Sequence, residues 1–182
     1  MKKISEQVLF QGRWLAIYEQ IYDTKKGERI AWETVRRTKS SAGVVVIAKM
    51  VPSERFILIK QFRPAINGYI LGFPAGLADG DPQQAVVELK EETGYTGKVI
   101  YASPVLKTGS SIIDDNGRII YLQVDEKLAV NKNPQQHLEP GEDIQVFLVS
   151  KAQIGDFLKE NHEQGTAISA NLWYLFIIKD LL

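Results

Sequence analysis

Short apolar runs separated by polar breaks recur along the chain, and the period of each run predicts its element. Residues 14–22 (WLAIYEQIY) and 29–37 (RIAWETVRR) are dense in aromatic and β-branched side chains, with Gly27 in the polar segment between them. That combination predicts a β-hairpin. Residues 43–50 (GVVVIAKM) are almost continuously apolar, as in a strand covered on both faces, and 55–62 (RFILIKQF) follow after Pro52 and Ser53 as a second central strand. At Asp81 the period becomes helical: Asp81 is placed to cap, Pro82 suits a first turn, residues 83–93 are good helix formers and Gly94 is a stop signal. Strand-like stretches return at 98–106 and 118–125. A polar loop with Pro134, Pro140 and Gly141 covers 126–143, and a strand is expected at 144–149. Ser150 and Gln153 have the spacing of a capping box opening a helix to about Glu163, and a last helix is expected over 168–179. Strands, one helix, more strands and two closing helices are not the strict alternation of a doubly wound sheet. The expected fold class is therefore α+β, with a mixed sheet between helices.

Composition narrows the function. At 182 residues the chain suits one domain, or one domain with a short dimerising arm. Lys plus Arg and Asp plus Glu both number 22, so no net field gathers nucleic acid or an anionic membrane, and a small-molecule partner is expected. The absence of cysteine excludes disulfides, thiolate metal sites and a cysteine nucleophile, and agrees with a reducing, cytoplasmic location. The opening MKKISEQ lacks the apolar core of an export signal, and the longest apolar run, 172–178, is too short to span a membrane.

Chemistry concentrates in the first predicted helix. Glu88, Glu91 and Glu92 stand at i, i+3 and i+4, which puts three carboxylates on one helical face, with Lys90 pointing elsewhere. Two readings are open at this point: a solvated surface turn, or oxygen ligands gathered for a hard divalent cation. Upstream, Gly72 to Gly76 (GFPAG) form a loop able to bring backbone carbonyls to the helix, and Thr93-Gly94-Tyr95 closes it. Together, residues 72–95 (GFPAGLADGDPQQAVVELKEETGY) resemble the Nudix box, the signature of the Nudix hydrolases. With GRW at 12–14, AWETVRR at 31–37 and KQFRP at 60–64, the chain is similar in particular to the branch of ADP-ribose and ADP-sugar pyrophosphatases. The resemblance runs from about Ser5 to the final helix.

The resemblance implies a Nudix-type α/β/α sandwich over residues 41–182, preceded by an N-terminal antiparallel arm at 1–40 that dimerises and binds the base. It implies a metal site of Glu88, Glu91 and Glu92 with the carbonyl of Ala75, taking Mg²⁺ or, in its place, Mn²⁺. Glu92 and Glu142, the latter in PGEDIQV, are the implied catalytic carboxylates, Glu142 orienting a water or taking its proton. Trp14 and Trp32 correspond to aromatics that sandwich adenine, one from each subunit of an arm-exchanged homodimer; the alternative for each is a place in the core. Arg63 and Arg37 correspond to residues near the diphosphate and the base, or else are surface ion-pair partners, and Glu33 meets the adenine edge or faces solvent. The implied reaction is cleavage of ADP-ribose or a related nucleoside diphosphate sugar to a nucleoside monophosphate and a sugar phosphate. The alternative is a catalytically weak or inactive protein that binds such a nucleotide sugar. Residues 107–116, which follow the family poorly, are expected to shape the sugar pocket, and His137 and His162 are expected to be polar surface residues.

The chain departs from the family pattern in three places. Val87 stands where an arginine normally pairs with a box glutamate, Gly72 stands where the branch commonly has glutamate, and the segment between Gly76 and Glu88 is about three residues short. Asp79 and Asp81 are the candidates for the acidic residue displaced by that shortening.

Overall fold

The structure, a computed structural model, describes residues 1–39, 42–78 and 81–177. In chain order they form β1 (Lys2–Gln11), β2 (Leu15–Asp23), β3 (Arg29–Arg37), β4 (Ala42–Val51), β5 (Phe56–Arg63), β6 (Gly68–Gly72), β7 (Ala75–Leu77) and α1 (Gln84–Thr93). Then follow β8 (Lys98–Ala102), β9 (Leu106–Gly109), β10 (Ile113–Asp125), α2 (Ala129–Lys132), β11 (Ile144–Val149), α3 (Ile154–Glu163), β12 (Ala167–Ile168) and α4 (Ala170–Phe176). The fold is α+β with a mixed sheet, as the pattern predicts. Among the described residues, no helix is long and apolar enough to cross a membrane.

The chain divides into two compact units. The first comprises Met1–Gly43, Leu77–Gly80 and Ser103–Arg118. Its centre is the expected hairpin, β2 against β3 in continuous antiparallel register from Leu15↔Arg37 to Asp23↔Arg29. Gly27 turns it with φ +83°, a conformation that a side chain would strain, and its N–H donates to the Thr24 carbonyl. β1 adds to β2 antiparallel, with two register shifts, and no residue of it is buried. That strand was not predicted over its full length, because a strand with no buried face carries no fixed alternation to read. β3 meets the start of β10 in parallel at Val35↔Ile113, and β9 pairs antiparallel with the same stretch.

The second unit comprises Val44–Gly76, Asp81–Ala102 and Ile119–Leu182. β5 pairs antiparallel with β4, β6 and β11, and β6 takes β12 in parallel. No residue of β4 is exposed, as its apolar run predicts. Val44, Val46, Ala48 and Met50 are buried, whereas Val45 and Ile47 pack on a cluster of Leu58, Leu71, Phe73, Val149, Ile154, Leu158, Leu172 and Phe176. That cluster joins β5, β6 and β11 to α3 and α4, so alternate residues of β4 are covered from opposite sides.

Local details differ from expectation. The 98–106 stretch splits into β8 and β9 around Ser103 to Val105, where Pro104 can donate no ladder hydrogen bond. The polar loop contains the short helix α2. Ser150 Oγ lies 2.7 Å from Gln153 Oε1, so this pair satisfies itself instead of the helix end, and Gln153 is the N-cap of α3. Ile168 belongs to β12 and α4 starts at Ala170; the expected end of that helix, 178–179, lies outside the described residues.

Candidate active site

α1 sets the site. Asp81 does not cap it directly: its Oδ1 accepts the Gln83 N–H at 2.9 Å, and Gln83 is the N-cap, with no side-chain cap bond of its own. Gly94 ends the helix with φ +78°, and a Cβ there would lie 2.3 Å from the Gln135 backbone nitrogen, so only glycine fits. The buried stripe of α1 is Ala85, Leu89, Glu92 and Thr93. Positions 85, 89 and 92 follow the helical period, so the packing that buries Leu89 also buries the Glu92 carboxylate. The three glutamates are graded along this face: Glu92 is 3% exposed, Glu88 is half-buried and Glu91 is exposed.

Glu92 accepts the Ala75 N–H on Oε2 at 3.0 Å. Burial pushes its pKa up to about 8; the negative charges of Glu88 and Glu142 add to the rise, and the Ala75 N–H and Arg63 oppose it. Burial also raises Glu88, with Glu91, Glu142 and Glu139 contributing in that order. Helix α1 and the loop before β11 therefore gather carboxylates that repel one another. Among the described residues, no three acidic or histidine side chains already converge to coordinate one ion. The donors are nevertheless hard oxygens, close enough to disturb one another's ionisation, and that chemistry fits a hard divalent cation.

Gly76 gives Glu88 its place. A Cβ at Gly76 would fall 1.9 Å from the Glu88 carboxyl carbon, so the carboxylate lies against the backbone of β7. Ala75 and Gly76 are held on β4 through the Val46 N–H, which donates to the Pro74 carbonyl at 2.8 Å. Glu142 is exposed at the tip of its loop and accepts the Glu139 N–H at 2.8 Å. Arg63 is the exposed last residue of β5. Val87 is 44% exposed, and Gly72 is buried, where an added Cβ would meet the Ser169 side chain at ordinary contact distance. Asp81 is occupied with the Gln83 amide, and Asp79 lies outside the described residues.

Trp14, Trp32, Glu33 and Arg37 all belong to the first unit. Both tryptophans are surface residues, 61% and 50% exposed, so neither is core. Arg13 and Lys39 lie over the Trp14 ring, at 4.9 and 5.7 Å from its centroid. The Trp32 indole N–H donates to the Ser111 carbonyl at 3.0 Å, and Arg37 Nε bonds Asp115 at 3.3 Å. Strand alternation puts Glu33 and Arg37 on one face of β3 and Trp32 on the other. Ser111 and Asp115 lie in the 107–116 stretch expected to shape the sugar pocket, but their bonds to Trp32 and Arg37 were not foreseen. Sequence reasoning missed the roles of Gly76 and Gln136, of which only Gly76, inside the GFPAG loop, carried a signal.

No family model matches the chain. The chain is 32% identical over 171 residues to the ADP-ribose pyrophosphatase of Saccharomyces cerevisiae, covering 88% of this chain and 74% of that protein. It is 33% identical over 170 residues to a Nudix hydrolase of Schizosaccharomyces pombe, covering 88% and 83%. It is 32% identical over 157 residues to the ADP-sugar pyrophosphatase of Mus musculus, covering 81% and 72%. Its fold matches the crystal structure of an ADP compounds hydrolase with a TM-score of 0.67 at 20% identity, covering 87% of this chain and 82% of that one, a likeness of fold alone.

Proposed function

The chain belongs to the Nudix hydrolases, and on that premise we propose that it hydrolyses the diphosphate of ADP-ribose or a related nucleoside diphosphate sugar. The products are a nucleoside monophosphate and a sugar phosphate, formed by adding water across one P–O bond of the diphosphate bridge. One observation carries this reading: a buried carboxylate, Glu92, stands beside Glu88 and Glu142 with its pKa pushed up to about 8. Like charges so arranged are stable when a cation shares them. Glu88, Glu91, Glu92 and the Ala75 carbonyl would hold Mg²⁺ or Mn²⁺. When bound, the cation supplies neutralisation of the diphosphate and a more acidic attacking water.

The remaining roles belong to side chains. Glu142 orients the attacking water or receives its proton. Arg63 donates hydrogen bonds to diphosphate oxygens, and the Ala75 N–H keeps Glu92 in one orientation. Trp14 and Trp32, one from each subunit, stack on the base, and Glu33 and Arg37, on the face of β3 opposite Trp32 within one chain, meet its polar edge across the dimer. The reading includes a homodimer that exchanges the arm of residues 1–40 between subunits. The exposed Val8, Leu9, Phe10, Trp14 and Leu15 support it, since isolated exposed side chains are ordinary but a run of them marks an interaction surface.

Incubation with ADP-ribose and Mg²⁺ tests the reading. Release of AMP that Glu92→Gln abolishes is the expected result; wild type and variant equally inert across a panel of nucleotide sugars would refute it. Val87, Gly72 and the absence of already convergent ligands among the described residues favour a second reading, a protein that binds the nucleotide sugar without turnover. Calorimetry separates the two: EDTA-insensitive binding with intact ligand recovered belongs to the second.

A further inference from the structure

We infer that Gln136 is a positioning residue that ties the C-terminal turn of α1 to the strand following Glu142, and so fixes Glu142 relative to the helix that carries Glu88 and Glu92. The inference rests on the proposed role of Glu142.

The last carbonyls of any helix lack partners within it. In α1, two of them are satisfied by adjacent residues far along the chain. The Glu91 carbonyl accepts the His137 N–H at 2.8 Å, and the Glu92 carbonyl accepts the Gln136 side-chain amide at 2.6 Å. The same amide nitrogen donates to the Ile144 carbonyl at 3.2 Å. A carboxamide nitrogen has two N–H donors, and here they bridge two elements that are remote in sequence. Gly94 permits this approach, because the Gln135 backbone occupies the space a Cβ would need.

Glu142 lies between Gln136 and Ile144, at the end of a turn in which the Gly141 and Glu142 N–H groups donate to the Glu139 carbonyl. Immediately after it, Asp143 is fixed from the other side: its carboxylate accepts the Tyr69 hydroxyl, and its carbonyl accepts the Phe62 N–H at 3.1 Å. The strand side of Glu142 is thus held to β5 and β6 by Asp143, and to α1 by Gln136. The His137 N–H holds the loop before Glu142 to the helix that carries Glu88 and Glu92, and the Gln136 amide refers the strand after Glu142 to the same helix. Gln136 is itself an exposed loop residue, so its two hydrogen bonds set geometry more than they set stability.

The test uses the full chain with Gln136→Met, which keeps side-chain length and removes both donors. With ADP-ribose and Mg²⁺, kcat is expected to fall roughly ten- to hundredfold with KM within about twofold, the loss expected when a reacting group is misplaced by about 1 Å. In the Glu142→Gln background the same change is expected to alter the rate by less than about twofold, because both act through one group. A readout independent of activity is the Glu139 amide proton, which bonds the Glu142 carboxylate. In Gln136→Met, without metal or substrate, its NMR resonance is expected to move upfield and exchange faster. An unchanged Glu139 amide, an unchanged kcat, or full additivity with Glu142→Gln would overturn the inference. Should the wild type hydrolyse no nucleotide sugar, the proposed function fails on its own, and the Glu139 resonance alone decides the position of Glu142.

Discussion

Replacing Glu92 by glutamine isolates the electrostatic cost of the site. The amide is neutral at every pH, matches the protonated acid in shape, and keeps an oxygen for the Ala75 N–H. In the unfolded chain the carboxyl loses its proton near the ordinary 4.5, whereas in the fold burial holds the pKa at about 8. Between those values the folded state keeps a proton that the unfolded state has released, so stability falls as pH rises. At 1.36 kcal/mol per pKa unit, the loss charged to this one group is about 1 kcal/mol at pH 5 and about 4 kcal/mol at pH 8, and it levels off above that. With Glu92 only 3% exposed, solvent screens little of it. Urea denaturation in EDTA from pH 5 to 9 measures the difference. The variant is expected to exceed wild type by about 1 kcal/mol at pH 5 and by about 4 kcal/mol at pH 8. Adding Mg²⁺ at pH 8 is expected to raise the wild type and leave the variant unmoved, while the variant releases no AMP. Stability profiles that run parallel across the whole pH range would refute the reasoning, because Glu92 would then titrate alike in both states.

Other substitutions separate geometry from stability. Gly76→Ala puts a methyl into the Glu88 carboxylate, whose flexible end can move aside; the rate should drop about tenfold or more while urea stability changes by less than about 1 kcal/mol. Gly94→Ala, by contrast, combines a left-handed φ of +78° with a clash against the Gln135 backbone, and should cost more than about 2 kcal/mol in the same denaturation assay. Asp115→Asn frees the exposed Arg37; KM for the nucleotide sugar should rise several-fold in steady-state kinetics, with kcat unchanged and a stability effect under about 1 kcal/mol.

The elements that the pattern predicts correctly either bury apolar residues or are flanked by a turn residue. The β2–β3 hairpin, β4, β5, β11 and α1 each show a period or a turn residue whose physical reason is local: Gly27 and Gly94 at positive φ, and apolar residues on covered sides. The misses are elements without such a face or without a local cause. β1 buries nothing, β6 and β12 are short, and α2 occupies a polar loop. The Ser150–Gln153 spacing matches a capping box, but the two side chains bond each other. Capping spacing shows what a residue can reach, and competition among its partners decides what it does reach.

The sequence by itself determined the family resemblance, the glutamates of α1 and their mutual spacing, because helical periodicity fixes which residues share a face. Tertiary structure decided the rest. That Glu92 is buried while Glu91 is exposed, that Glu88 rests on Gly76, and that Gln136 bonds both α1 and β11 are contacts between segments remote along the chain. Ionisation depends on the solvent and charge around a group, and both are set by packing. Spacing can therefore place a carboxylate on a helix, but only the fold decides whether it stands in water or beside its neighbours.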